Sequence, residues 1–178
     1  MINLFERLKT GNEQHQKAYT AIEELQILDD LHVYNPVLCG TFPINIDING
    51  SDLDIIMEVN ELDTFANELH TLYTDKENFT LKRKAIRGKE VVKAKFSFYD
   101  FEFELFGQNT PVHKQYAYLH MMIEYELLQR DPDLREKVIS LKKLGYKTEP
   151  AFCKLFNISG DPYEGLLLFG VEEGIVQP

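Results

Sequence analysis

Two aspartates set into an otherwise apolar run, Gly50-Ser51-Asp52-Leu53-Asp54-Ile55-Ile56, restrict this chain more than any other feature of its sequence. The stretch Leu53 to Val59 reads as a strand. Successive side chains on a strand point to opposite faces, so Asp52 and Asp54 share one face while Leu53 and Ile55 turn into the core. Their Cα atoms then lie about 7 Å apart. Both carboxylates can reach one hard cation or a pair of them, since Mg²⁺ takes oxygen ligands and paired metals sit close together. A Ser-Asp turn followed by a solvated strand edge is the simpler reading, and Asp-x-Asp alone does not exclude it.

Two further features favour the metal reading. Gly40-Thr41 ends the preceding short strand, Pro36 to Cys39, and ten residues separate Thr41 from Asp52. A small hydroxyl residue after a glycine lets the backbone approach a phosphate and donate N–H groups to it. Residues 101–106 alternate, with Phe101, Phe103 and Leu105 on one face and Glu102 and Glu104 on the other. A carboxylate from that strand would complete a metal site if the two strands are neighbours.

The rest of the chain supplies the frame. An amphipathic piece (Ile2, Leu4, Phe5, Leu8) ends at Thr10-Gly11, and a second helix carries Ala18, Ala21, Ile22, Leu25, Leu28 and Leu31 at helical spacing. Residues 41–50 are expected to be loop, and 61–74 helix. Residues 79–86 and 91–98 flank Arg87-Gly-Lys-Glu90 as a hairpin, and Tyr99-Asp100 leads into the strand that Gly107 closes. After Pro111 the pattern is helical to the end. Asp131-Pro132, Thr148-Glu-Pro150 and Gly160-Asp161-Pro162 are the helix starts, and Gly145 is a stop. The expected fold class is α+β, a mixed sheet of four to six strands packed by helices. The expected organisation is a core over 1–110 and a helical C-terminal segment over 111–178 packed on it.

Composition excludes several classes. There are 19 basic against 29 acidic residues, a net charge of -10, which argues against a long nucleic acid or an anionic membrane as partner. No apolar run approaches the roughly 20 residues a membrane span needs. The first residues lack a leader pattern, and Cys39 and Cys153 make neither a disulfide framework nor a zinc pattern, so a cytoplasmic setting is expected.

Residues 82–95 nevertheless hold seven basic residues in 14 positions, with Lys82 and Lys84 sharing one strand face and Lys93 and Lys95 another, opposite Phe96 and Phe98. Such a wall beside carboxylates could bind phosphates; the plainer reading is a solvated hairpin whose lysines guard an edge. His113 and His120 read as helical, His120 four before Glu124, either a metal clamp or an ordinary helix-face hydrogen bond. Cys39 reads as a core residue. The stripe Tyr116, Leu119, Met122, Ile123, Leu127 reads as core, and Lys142 and Lys143 as complements of a helix C-terminus.

The arrangement of Gly40-Thr41, Asp52-Leu53-Asp54 and a later Glu102 or Glu104 resembles the nucleotidyltransferase superfamily, the polymerase-β-like fold. More closely, Gly-Thr-Phe-Pro-Ile with Gly-Ser-Asp-Leu-Asp-Ile, Glu-Leu-Phe-Gly-Gln at 104–108 and Lys-Thr-Glu-Pro-Ala-Phe at 147–152 resemble an uncharacterised bacterial family of nucleotidyltransferase-like proteins, a domain of unknown function. That resemblance covers nearly the whole chain; the Gly-Thr-x-Pro element is also similar to the GrpB-like family. The resemblance implies that Asp52, Asp54 and Glu104, which sits where the family string places its acid, hold Mg²⁺ or Mn²⁺. It implies that Gly40, Thr41 and Ser51 lie along the triphosphate of an NTP, whose nucleoside monophosphate passes to a hydroxyl of a small molecule or protein. Thr41 replaces the commoner Ser, Pro43 follows closely, and no Arg-Gly follows Thr41. These departures favour an alternative on the same fold, a catalytically weak nucleotide-sensing or protein-interaction module. A glycosyltransferase would need a larger domain, and in a haloacid-dehalogenase-type phosphatase the Asp-x-Asp lies near the first strand and is followed by Thr or Val rather than Ile56. Acceptor, preferred base and oligomeric state are not encoded in any motif.

Overall fold

The computed structural model describes residues 4–177. The chain divides into two compact units, one of residues 1–43 and 50–112, the other of residues 44–49 and 113–178.

The first unit opens with a 3-10 turn at Glu6–Thr10 and helix α1, Glu13–Glu24. Ile2, assigned above to the opening amphipathic piece, lies outside the described residues. The Asn12 side chain caps α1 by accepting from the His15 N–H at 2.9 Å. The single long helix expected to reach Leu31 is interrupted. Gln26 adopts a left-handed conformation (φ 52°), and a separate short turn, α2 (Ile27–Asp30), follows. The buried stripe shifts at the break: Leu25, Ile27 and Leu31 are buried, whereas Leu28, on the expected stripe, is half-buried.

Strands β1 (Val37–Cys39) and β2 (Leu53–Glu58), helix α3 (Leu62–Tyr73), and strands β3 (Glu77–Ile86), β4 (Lys89–Phe98) and β5 (Phe101–Gln108) complete the unit. The sheet order is β1-β2-β5-β4-β3, with β2 and β5 parallel and the other neighbours antiparallel. The hairpin turn is tighter than the four residues expected. Arg87 and Gly88 alone connect β3 to β4, both with positive φ (49° and 74°), the mirror-image turn that matches strand twist.

One sheet face packs on α1 and α3. Leu53, Ile55, Ala94, Phe96, Phe103 and Leu105 meet Ala21, Ile22, Phe65 and Leu69 in a single buried cluster. Tyr73, Phe96 and Phe103 stack in series with centroid separations of 4.9 and 5.2 Å, geometry that adds stabilisation beyond area alone. Gly107 does not close β5, as the sequence suggested, but lies inside it. A Cβ there would stand 2.4 Å from the Phe65 ring and 2.7 Å from Val59, so no side chain fits beneath α3. We expect Gly107→Ala to destabilise by about 1–3 kcal/mol through overpacking; a urea midpoint equal to wild type would contradict this.

The second unit holds helices α4 (Tyr116–Arg130), α5 (Leu134–Lys143), α6 (Thr148–Leu155) and α7 (Pro162–Glu172). Asp161 caps α7 by accepting from the N–H groups of Tyr163 and Glu164, with Pro162 in the first turn, as expected. Asp131-Pro132 does not start α5 directly. The Asp131 carboxylate accepts from the Asp133 N–H at 2.9 Å, and the helix begins at Leu134. His113 lies in a 3-10 turn and not on α4, which separates it from His120. His120 is buried with Nε2 2.8 Å from the Tyr163 carbonyl oxygen. Lys142 is no surface complement of a helix end. It is buried, and its ammonium donates to the Ile46 carbonyl at 2.8 Å, while Arg135 donates to the carbonyls of Ile44 and Asn45. These bonds tie the segment Ile44–Asn49 to α5. Among the described residues no helix is long and apolar enough to cross a membrane.

Candidate metal and nucleotide site

Parallel pairing of β2 with β5 sets Asp54 directly beside Glu104. The antiparallel register of β1 sets Cys39 beside Asp54 on the other side. Asp52 precedes β2 by one residue and lies on the same face as Asp54. Each of Asp52, Asp54 and Glu104 offers a carboxylate oxygen, and these oxygens lie within 4.8 Å of one another. Oxygens on one octahedral Mg²⁺ are roughly 3 Å apart when adjacent and roughly 4.2 Å apart when opposite. The three carboxylates would draw closer to share one ion, and their all-oxygen chemistry suits a hard cation such as Mg²⁺ or Mn²⁺.

Glu102 stands apart from this trio. Its side chain is 53% exposed and accepts from Lys95 at 2.5 Å. Glu104 is only 17% exposed and faces both Lys93 at 2.6 Å and Lys95 at 3.2 Å, with Asp52 3.8 Å from Lys95. Burial, reinforced by the negative charges of Asp52 and Glu104, pushes the Asp54 carboxyl well above the usual carboxylate range despite Lys93 and Lys95 nearby. Burial works against the charge on Lys95, but its bonds to Glu102 and Glu104 outweigh this and raise its pKa.

Gly40 follows β1 with φ +77°, and a Cβ on it would stand 2.6 Å from the Asp54 Oδ2. Backbone packs against carboxylate here, which only glycine permits. Thr41 and Ser51 sit at the two ends of the β1–β2 connection, both half-buried. The Pro43 that follows Thr41 starts no helix: residues 42–45 form turns. Lys93 and Lys95 were legible in the sequence as a cationic strand face; their pairing with Glu104 and Asp52 depends on the β4–β5 register and was not.

The fold is that of a nucleotidyltransferase. A cytoplasmic RNA terminal U-transferase superposes with a TM-score of 0.53 at 13% identity, over 78% of this chain and 44% of that one. Cid1 poly(U) polymerase bound to MgATP superposes with a TM-score of 0.58 at 14% identity, over 93% of this chain and 53% of that one. A Cid1 structure with Mg 3'-dATP gives 0.54 at 14% identity over 78% and 44%. The chain thus spans about half the length of these structures. The family model described as a domain of unknown function, DUF4269, matches residues 20–169, and the chain belongs to that family. No curated protein matches it in sequence.

Proposed function

We propose that this chain transfers a nucleoside monophosphate from an NTP to a hydroxyl group of a small molecule or protein. The observation that carries the reading is the convergence of Asp52, Asp54 and Glu104 on one sheet face, with Gly40 pressed against Asp54. In this reading the three carboxylates hold Mg²⁺ or Mn²⁺, which lowers the pKa of the acceptor hydroxyl and neutralises charge on the phosphoryl oxygens. The chain's own groups do the rest. The bare Gly40 backbone admits a phosphate, and the hydroxyl and N–H groups of Thr41 and Ser51 donate to the triphosphate. The acceptor oxygen bonds to the α-phosphorus, the bond to the β-phosphate bridge breaks, pyrophosphate leaves and the hydroxyl proton is released. Cid1 poly(U) polymerase, whose fold this chain shares, is solved bound to MgATP, which supports an NTP as donor.

A second reading has its own support. Glu104 is paired with both Lys93 and Lys95, as suits a module that senses a nucleotide and turns over feebly. Calorimetric titration of each of the four NTPs with Mg²⁺ into wild type and Asp52→Ala/Asp54→Ala tests both. Metal-dependent binding lost in the variant is the expected result. Binding without turnover against a panel of hydroxyl acceptors would select the sensor, and no binding to wild type would refute both readings.

A further inference from the structure

The hairpin lysines remain unused by the reaction just described. Lys82 pairs with Lys93 and Lys84 with Val91 across β3 and β4, while Lys93 pairs with Phe106 and Lys95 with Glu104 across β4 and β5. Paired residues project to one face, and so do residues two apart on a strand. Lys82, Lys84, Lys93 and Lys95 therefore stand on the same sheet face as Asp54 and Glu104. Lys93 and Lys95 are engaged by carboxylates. Lys82 and Lys84 are exposed and pair with no acidic group among the described residues. Their neighbour Arg83, on the other face, is paired with Asp63.

We propose that Lys82 and Lys84 bind a phosphomonoester carried by the acceptor substrate, and so select which hydroxyl reaches the carboxylate site. This rests on the transferase reading above. Strand order places the two substrates on opposite flanks. Gly40, Thr41 and Ser51 lie at the β1–β2 side, the carboxylates on β2 and β5, and Lys82 and Lys84 on β3 beyond β4. The donor triphosphate and the acceptor phosphate then approach the acids from different sides, as displacement by an acceptor hydroxyl requires. From strand spacing and residue rise, the Cα atoms of Lys82 and Glu104 are roughly 12 Å apart, a gap that a small phosphorylated molecule and a lysine stem bridge together. A phosphomonoester carries about -1.5 to -2 charges near neutrality, the complement of two ammonium groups. A long polyanion meets a chain of net charge -10 and is repelled at range. Lysines that only guarded the edge strand would show no saturable phosphate site.

The test titrates inorganic phosphate into metal-free protein in EDTA at low ionic strength, followed by ³¹P NMR. Wild type is compared with Lys82→Ala/Lys84→Ala and with Lys137→Ala/Lys143→Ala, which removes the same charge from exposed positions on α5. Circular dichroism confirms that each is folded, and NTP titration with Mg²⁺ is run in parallel. The expected result is phosphate binding at least tenfold weaker in the hairpin variant, unchanged in the α5 variant, with NTP binding intact in both. Equal phosphate binding in wild type and hairpin variant, with NTP binding intact, would overturn this proposal alone. Absent NTP binding in wild type would instead remove the transferase reading beneath it. Stronger displacement of phosphate by a single-stranded oligonucleotide without terminal phosphates would also overturn it, by assigning the lysines to a nucleic-acid backbone.

Discussion

Asp54→Asn should make the metal-free protein more stable at neutral pH while abolishing its Mg²⁺-dependent NTP binding. The two effects have one origin. The Asp54 carboxyl is held well above its ordinary range by burial and by Asp52 and Glu104. Between the ordinary value and the raised one, the folded protein holds a proton that the unfolded chain has lost. Stability must therefore fall as pH rises through that window, and the ionised carboxylate remains a cost above it. Asparagine keeps the shape and removes the charge. We expect a gain on the order of 1 kcal/mol, or roughly 2–4 °C in Tm for a chain of this size. The measurement is Tm against pH in EDTA for both proteins, read as the difference between the profiles because other groups titrate too. That difference should open in favour of the variant as pH rises. With Mg²⁺ present it should shrink or reverse, because binding requires the carboxylate and releases its proton. Parallel profiles, or a variant less stable at neutral pH, would defeat this account of the site's electrostatics.

Gly40→Ala should cut Mg²⁺-dependent NTP affinity tenfold or more. Two costs coincide. The left-handed backbone is strained for any side chain, by about 1–2 kcal/mol, and the new methyl group would stand 2.6 Å from Asp54 Oδ2. Asp54 lies on a strand paired on both sides, so its carboxylate must swing away from Asp52 and Glu104. Gly50→Ala separates the costs. Gly50 is also left-handed (φ +83°), but a Cβ there meets nothing within 4 Å. Both variants should lose stability in urea, Gly40→Ala the more, and only Gly40→Ala should lose nucleotide. Equal NTP affinities would show that Gly40 is a turn residue and nothing more.

Much of this frame was written in local pattern. Period-two alternation found β5, apolar spacing found α3, and Asp161-Pro162 marked the start of α7, because each depends on neighbours a few residues away. The carboxylate trio was half legible. Asp52 and Asp54 share a face by strand geometry alone, but the choice of Glu104 over Glu102 depends on the β2–β5 register, and the family string only hinted at it. What escaped the sequence is long-range. Nothing near Gln26 announces a left-handed break, since the apolar spacing runs straight through it. Lys142 at a helix end is ordinary by every local rule, yet its ammonium is buried against a carbonyl 96 residues away. Glycine at position 107 looked like punctuation; the Phe65 ring gives it its reason.

The clamped segment Ile44–Asn49 has a consequence for biosynthesis. It leaves the ribosome well before Arg135 and Lys142, whose side chains fix its carbonyls. The span joining Thr41 to Ser51 therefore acquires its final course only once α5 has been translated. A gene cut between Val112 and His113 would part Arg135 and Lys142 from the carbonyls of Ile44, Asn45 and Ile46 that they hold, so the two halves should neither mature separately nor tolerate exchange between homologues as cassettes.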